Sequence, residues 1–152
     1  MNNEQNGQAN LIIRPFAEED YPTVISLWEQ TGIPCKPRGR ESKEKILKEL
    51  SNPGTLFLVA EKDGDLIGTV LATHDGRKGW INRLSVAPRH QHRGLATRLL
   101  KVAEDHLYRC GMEIITCLIE DDNPGSMEFF VKKEYVKHTD IIYFSKRKFP
   151  DV

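Results

Sequence analysis

The chain has 152 residues, 39% of them hydrophobic and 29% charged, and its Lys+Arg and Asp+Glu totals are both 22. That length fits one domain around one core, and the composition is that of an ordinary soluble globular protein. No apolar run approaches the ~20 residues needed to cross a bilayer.

The elements follow in chain order. The opening MNNEQNGQAN is polar, lacks the apolar centre of a secretory signal, and reads as a flexible tail over residues 1–10. A single domain is expected over 11–149, with 150–152 as a second short tail. LIIRPF predicts a first strand, stopped at Pro15. AEEDYPTVISLWEQTGI predicts a helix with acidic residues in its first turn, an inward face of Val24, Leu27 and Trp28, and Gly32 as its stop. ESKEKILKEL predicts a second helix with Ile46, Leu47 and Leu50 inward. Asp63-Gly64 then joins two strands as a hairpin turn, and Asp75-Gly76 leads into a further strand, GWINRLSVAP, closed by Pro88.

A long helix follows from Gly94 to Arg109, with Leu95, Leu99, Val102, Ala103 and Leu107 at helical spacing and Gly111 as its left-handed end. EIITCLIE predicts a strand. NPGSMEFFVKKE predicts a short helix with Asn123 as N-cap and Pro124 as first residue. YVKHTDIIYFSKRKF predicts one or two last strands. The expected fold is α/β, an α+β mixed and mostly antiparallel sheet of six to seven strands with about four helices. Its one parallel, right-handed crossover runs through the long helix.

Cysteine usage and charge placement narrow the function. Cys35, Cys110 and Cys117 form no CxxC pair, which suits reduced thiols in a cytoplasmic protein. Seven cations (Arg77, Lys78, Arg83, Arg89, Arg93, Arg98, Lys101) fall between positions 77 and 101 with no Asp or Glu among them, whereas Glu120, Asp121 and Asp122 form a compact acidic group. A neutral chain with one basic and one acidic region suits an anion and a cation held side by side. The basic residues surround a strand-to-helix junction, QHRGLAT, where unpaired helix N–H groups and the helix dipole favour anions. Gly94 and Ala96 let a diphosphate approach the backbone closely, while Arg89, Arg93 and Arg98 supply charge and Thr97 a hydroxyl. The plain alternative is a solvated basic helix face.

His90-x-His92 resembles a metal pair, but no third ligand stands at a useful spacing and the surroundings are cationic, so no metal is expected. Cys117, Trp28 and Trp80 read as packing residues. His74 either faces a substrate or is a surface residue.

Gln91-x-x-Gly94-x-Ala96 resembles the Q/R-x-x-G-x-G/A signature of the GNAT superfamily of N-acetyltransferases. It stands after a strand ending LSVAP and before LATRLLKVAEDHLYRCG, as in that family. NPGSMEFFVKKEYV, from Asn123, is similar to the family's N-x-x-A-x-x-F-Y-x-x-x-G-F. The opening IIRPFAEEDYPTVISLW and the LFLVAEKDGDLIGTVLA hairpin are similar to that family too, so the resemblance spans Leu11 to Phe144.

The resemblance implies an acetyl-CoA site in a splay between the fourth and fifth strands, at a bulge in the fourth. Carried over, Leu84, Ser85 and Val86 would pair with the pantetheine arm through their backbones. Gln91, His92, Arg93, Gly94, Leu95, Ala96 and Thr97 would cradle the pyrophosphate. Asn123 would touch the cofactor from the next helix, and Arg89 or Arg98 would reach its 3′-phosphate.

The implied chemistry is direct attack of a neutral primary amine on the thioester, with a backbone N–H near Leu84–Val86 stabilising the developing oxyanion. The acceptor would be a small molecule, a peptide N-terminus or a lysine. Glu120 is the expected base, directly or through water, with Asn82 and Ser85 as possible relays. The family's usual acid, a tyrosine, aligns with Phe130, which has no acidic proton, and Glu134-Tyr135 stands where Gly-Phe is usual. Phe130 would pack on the cofactor arm. A thiol pKa near ~8.5 makes the thiolate a tolerable leaving group without an acid, or Tyr135 or Tyr143 would supply the proton. Two rival readings are a CoA-binding sensor without turnover and a nucleic-acid module using Arg89 to Lys101. Zero net charge and the small loop residues argue against the second, so neither nucleic acid nor membrane is an expected partner. A homodimer is possible, since dimers are frequent in the family.

Overall fold

A computed structural model describes residues 10–152. Five strands form one sheet in the order β1-β2-β3-β4-β5: β1 (Leu11–Pro15), β2 (Leu56–Lys62), β3 (Asp65–His74), β4 (Gly79–Val86) and β5 (Ile115–Thr116). Four helices accompany them: α1 (Tyr21–Thr31), α2 (Lys43–Leu50), α3 (Leu95–Arg109) and α4 (Pro124–Lys132). The first four strands pair antiparallel, and β5 joins β4 in parallel after the α3 crossover.

The expected tail 1–10 lies outside the described residues except for Asn10, whose backbone exchanges hydrogen bonds with Asp63. At the other end, the carbonyl of Asp151 lies against Gly39.

Local chemistry places these elements. Asp63 and Gly64 both take positive φ, 51° and 87°, the geometry of a hairpin turn whose twist matches its strands. Pro22 opens α1 and Gly32 closes it in the left-handed region. The Asn123 side chain accepts from Ser126 N at 3.1 Å, so α4 starts on the cap its sequence predicts.

The sheet separates two apolar clusters. On one face, Leu95, Leu99, Leu100, Ala103 and Leu107 of α3, with Phe130 of α4, pack on the sheet around Val70, Ile81 and Val86. On the other, Val24 and Trp28 of α1 and Ile46 of α2 pack on Phe57, Val59 and Leu71, with Phe16 stacked on Phe57 at 4.5 Å.

The sheet has five strands rather than the expected six to seven. β5 contributes only Ile115 and Thr116 to the ladder, and residues 135–149 form no strand. The pairing of β5 is short because β4 turns away from it beyond Trp80. The final segment pairs with neither edge of the sheet, and the outer edge of β5 has no partner among the described residues.

Candidate active site

The site begins with an irregularity in β4. Thr69 of β3 is opposite Ser85, but Leu71 is opposite Asn82, so Val70 faces two residues, Arg83 and Leu84. This bulge leaves one residue out of the ladder and bends the strand. Arg83 is its left-handed member, at φ 54°. Parallel pairing with β5 stops at Trp80↔Thr116, so Ile81 to Val86 diverges from Cys117 to Glu120 and a wedge opens between them.

A buried network holds the bulge in shape. The Trp28 indole donates to Thr69 Oγ1 at 3.0 Å, and that hydroxyl donates to the Arg83 carbonyl at 2.7 Å. The Arg83 guanidinium lies 4.7 Å from the Trp28 ring centroid, donates to the Pro34 carbonyl and forms an ion pair with Glu41. Glu41 also accepts from Lys36 N at 2.6 Å and from Arg40 Nε at 2.9 Å. The side chains of Arg83 and Glu41 are only 14% and 9% exposed, so the charges are taken up by each other and not by water. Glu49 of α2 is half-buried beside this pair; burial raises its pKa, Arg83 opposes the rise and Glu41 adds to it. Sequence reasoning missed Glu41 and Glu49. It also counted Arg83 among the seven cations of the basic region, whereas Arg83 is committed to Glu41.

At the end of β4 a single turn, Pro88–His90, leads into the loop before α3. Gln91 Nε2 donates back to the Val86 carbonyl at 3.0 Å, which folds the loop over the strand end. His92 and Gly94 take φ of 60° and 83°, and no side chain caps the first turn of α3. Gln91, His92, Arg93 and Gly94 are exposed, Ala96 and Thr97 are partly so, and Leu95 is buried in the core. A Cβ added at Gly94 would meet no atom within 4 Å, so the space in front of the loop is open.

Beside it lies a hollow of about 190 Å³ whose lining includes Lys62, His90, Arg93 and Arg98. Lys62 comes from β2 and was not visible as a partner from sequence. Arg98, not Arg89, lines this hollow. Partial burial and the cations Lys62, Arg89 and Arg93 lower the pKa of His90. Main-chain donors at an uncapped helix start, next to a cationic hollow, fit a ligand with several phosphates.

The structure separates the other predicted site residues. The Ser85 hydroxyl is buried against α1 and donates to Thr31 Oγ1 at 2.9 Å, while Asn82 is exposed. Leu84 is partly buried and Val86 buried. Glu120 is exposed, four residues beyond the paired part of β5, and its carbonyl accepts from Asn123 N at 3.1 Å. The Asn123 amide oxygen is already used as the α4 cap. Phe130 is 7% exposed and packs edge-on against Tyr135 at 4.9 Å. The Tyr135 hydroxyl donates to Glu104 at 2.9 Å, and burial first, then this bond, pushes its pKa well above the usual tyrosine range. Tyr143 is exposed. His74 lies on Gly54, and its Nδ1 accepts from Gly76 N. Burial raises the Cys117 thiol to about 11, as expected of a packing residue.

Comparison with known proteins turns this geometry into a family. The sequence profile of the Acetyltransferase (GNAT) family matches residues 18–135. The chain belongs to the GNAT acetyltransferase family. A curated relative, the acetyltransferase plu1384 of Photorhabdus laumondii, is 34% identical over 140 residues, covering 91% of this chain and 96% of its own. Among solved structures, the PaiA N-acetyltransferase of Thermoplasma acidophilum, in complex with coenzyme A, superposes with a TM-score of 0.71 at 27% identity. The match covers 82% of this chain and 88% of that one. The aminoglycoside N-acetyltransferase AAC(6')-Iy, also in complex with CoA, gives a TM-score of 0.75 at 18% identity, with 91% and 96% covered, a likeness of fold. Within the GNAT frame, the wedge between β4 and β5 and the loop before α3 stand where the sequence resemblance expected the acetyl donor.

Proposed function

We propose that this GNAT enzyme transfers the acetyl group of acetyl-CoA to a primary amine by direct attack in a ternary complex. The observation that carries this reading is the junction of two openings. The β4–β5 wedge ends at Val86, and the uncapped start of α3 follows within the same loop. In this reading the amides of Gln91 to Thr97 hold the pyrophosphate, with Arg93, Arg98 and Lys62 adding charge. The backbones of Leu84, Ser85 and Val86 line the pantetheine arm, and Asn123 and Phe130 border it from α4. Acetyl-CoA is the donor.

The residues of the chain meet the needs of acyl transfer as follows. A bulged strand presents an N–H without a ladder partner to a carbonyl oxygen that gains charge. An ammonium has no lone pair, so a base must take its proton. Glu120, at the mouth of the wedge and beside Asp121 and Asp122, serves as that base through water. Glu49 is the alternative, favoured by its burial-raised pKa next to the bulge network. Asn82 and Ser85 are the relays, the latter limited by its bond to Thr31. Phe130 fills the position of the family's tyrosine and the Tyr135 hydroxyl is occupied by Glu104, while Tyr143 is exposed. The thiolate therefore leaves unassisted, or takes its proton from water or from Tyr143. Three thiols without a disulfide suit a reducing cytoplasm.

A panel of small amines, peptides with free N-termini and lysine peptides, assayed for thiol release from acetyl-CoA, tests the reading. Release with at least one amine, absent without it, is the expected result. A thermal shift with acetyl-CoA and no release across the panel would favour the sensor reading, which the missing phenol supports.

A further inference from the structure

Thr69 of β3 is a wholly buried polar side chain with no part in the proton transfers of the proposed reaction. It is 0% exposed, and Trp28, its hydrogen-bond partner, is 1% exposed. A β-branched apolar residue would fill the same place in the strand, so the hydroxyl needs a reason beyond packing. Its two hydrogen bonds have a fixed direction. An indole N–H only donates, so Trp28, at 3.0 Å, occupies a lone pair of Thr69 Oγ1. The one hydroxyl proton is left for the Arg83 carbonyl, 2.7 Å away. The Arg83 guanidinium lies over the same indole ring, so Trp28 steadies both the peptide and the side chain of the bulge residue.

That carbonyl belongs to the peptide that joins Arg83 to Leu84. The peptide is trans, and in a planar trans peptide the C=O and the N–H point in opposite directions. Thr69 of β3 holds the carbonyl on the side of β4 away from β5, so the Leu84 N–H is turned toward β5. Strand alternation gives the same result. Ala87 N donates across to Ile67 O at 2.8 Å, which directs the N–H groups of Val86 and Leu84 to the other side. Pairing with β5 has stopped at Thr116, so the Leu84 N–H opens on the wedge.

We propose that Thr69 is a positioning residue for acetyl transfer: Trp28 and Thr69 lock the Arg83–Leu84 peptide so that the Leu84 N–H donates to the thioester oxygen as that oxygen gains charge. The GNAT resemblance leads to a main-chain donor at this bulge; Trp28 and Thr69 are what aim it in this chain. A carbonyl that accepts a hydrogen bond makes the N–H of its own peptide a stronger donor, so the chain of bonds also strengthens the one made to the oxyanion. The inference rests on the acetyl-transfer reading.

Thr69→Val keeps the shape of the side chain and removes the hydroxyl, whereas Thr69→Ser keeps the hydroxyl. Deleting an oxyanion donor outright costs on the order of 10²–10³ in kcat, so a donor left to swing should cost Thr69→Val about tenfold or more. The loss should fall on kcat, with the calorimetric affinity for acetyl-CoA little changed, and Thr69→Ser should recover most of it. Trp28→Phe lets the hydroxyl turn away and should lower kcat in the same sense, which keeps the test open if Thr69→Val does not fold. Infrared spectra of bound acetyl-CoA labelled with carbon-13 at the thioester carbonyl read the donor without any amine. The carbonyl band should lie lower on the wild type than on Thr69→Val, and Thr69→Ser should restore it. Equal band positions in wild type and Thr69→Val, an unchanged kcat in Thr69→Val, or a Thr69→Ser as impaired as Thr69→Val would overturn the proposal while leaving acetyl transfer standing. Failure of the wild type to bind acetyl-CoA, or to release thiol with any amine, would overturn the acetyl-transfer reading and this proposal with it.

Discussion

Glu41→Ala removes one side of the ion pair that sets the β4 bulge, and its cost follows from the geometry. Glu41 and Arg83 are 9% and 14% exposed at their side chains, and Glu41 also accepts from Lys36 N and Arg40 Nε. Removing one partner of a buried pair leaves the other charge uncompensated, at about 3–5 kcal/mol. The guanidinium keeps its Pro34 carbonyl and the Trp28 ring, which offset part of that loss. The expected destabilisation is therefore about 3 kcal/mol, the low end of that range for breaking a buried pair. Urea unfolding followed by Trp fluorescence measures it. Arg83→Met placed on the Glu41→Ala background should recover about 1 kcal/mol or more, because no lone charge then remains buried. A Glu41→Ala cost below about 1 kcal/mol, within the range of exposed pairs, would refute the claim that this pair is effectively buried. So would a double variant as unstable as the sum of its singles. Since the bulge also shapes the wedge, the same substitution should lower acetyl-transfer kcat more than it raises the KM for acetyl-CoA.

Three further outcomes are expected. Gly94→Glu places a carboxylate and a side chain at φ 83° in front of the α3 amides, and calorimetry should register no acetyl-CoA binding; retained binding would remove the loop from its role. Glu120→Gln should lower turnover at least tenfold without weakening acetyl-CoA binding, in line with the contribution of general-base catalysis. Unchanged turnover, with the loss found instead in Glu49→Gln, would transfer the proton to Glu49. Asp20 has its pKa lowered from 3.8, first by the hydrogen bond from Arg14 and also by that from Ala17 N. A folded value below the unfolded one means stability present above the unfolded pKa and lost as pH falls through the folded pKa. Asp20→Asn should therefore cost about 1 kcal/mol at pH 7, and its unfolding curve should converge with that of the wild type at pH values below the folded pKa.

The parts of this fold that were legible in sequence are those whose cause is local. Asp63-Gly64 dictates its turn by positive φ, Asn123-Pro124 starts α4, and the apolar spacing from Leu95 to Leu107 places α3 on the sheet. The parallel order of β4 and β5 followed from the crossover between them. What escaped reading depends on residues distant in sequence. Arg83 and Glu41 stand 42 positions apart, and nothing in either neighbourhood announces the pair. Glu41 was read as the first residue of a helix that starts at Lys43, with Ser42 as its cap. The hollow beside the α3 loop takes Lys62 from a different strand. The apolar alternation in residues 136–149 called for strands, but a strand is made by its pairing, and these residues pair with none of the five strands.

The Arg83 side chain reaches across to the loop between α1 and α2, while its own peptide is the kink in β4. Whatever presses on or withdraws residues 33–41 therefore tugs on the strand that borders the β4–β5 wedge. A loop 33–41 remodelled without an anion at position 41 would thus strand the Arg83 charge and release the kink of β4 from its tether.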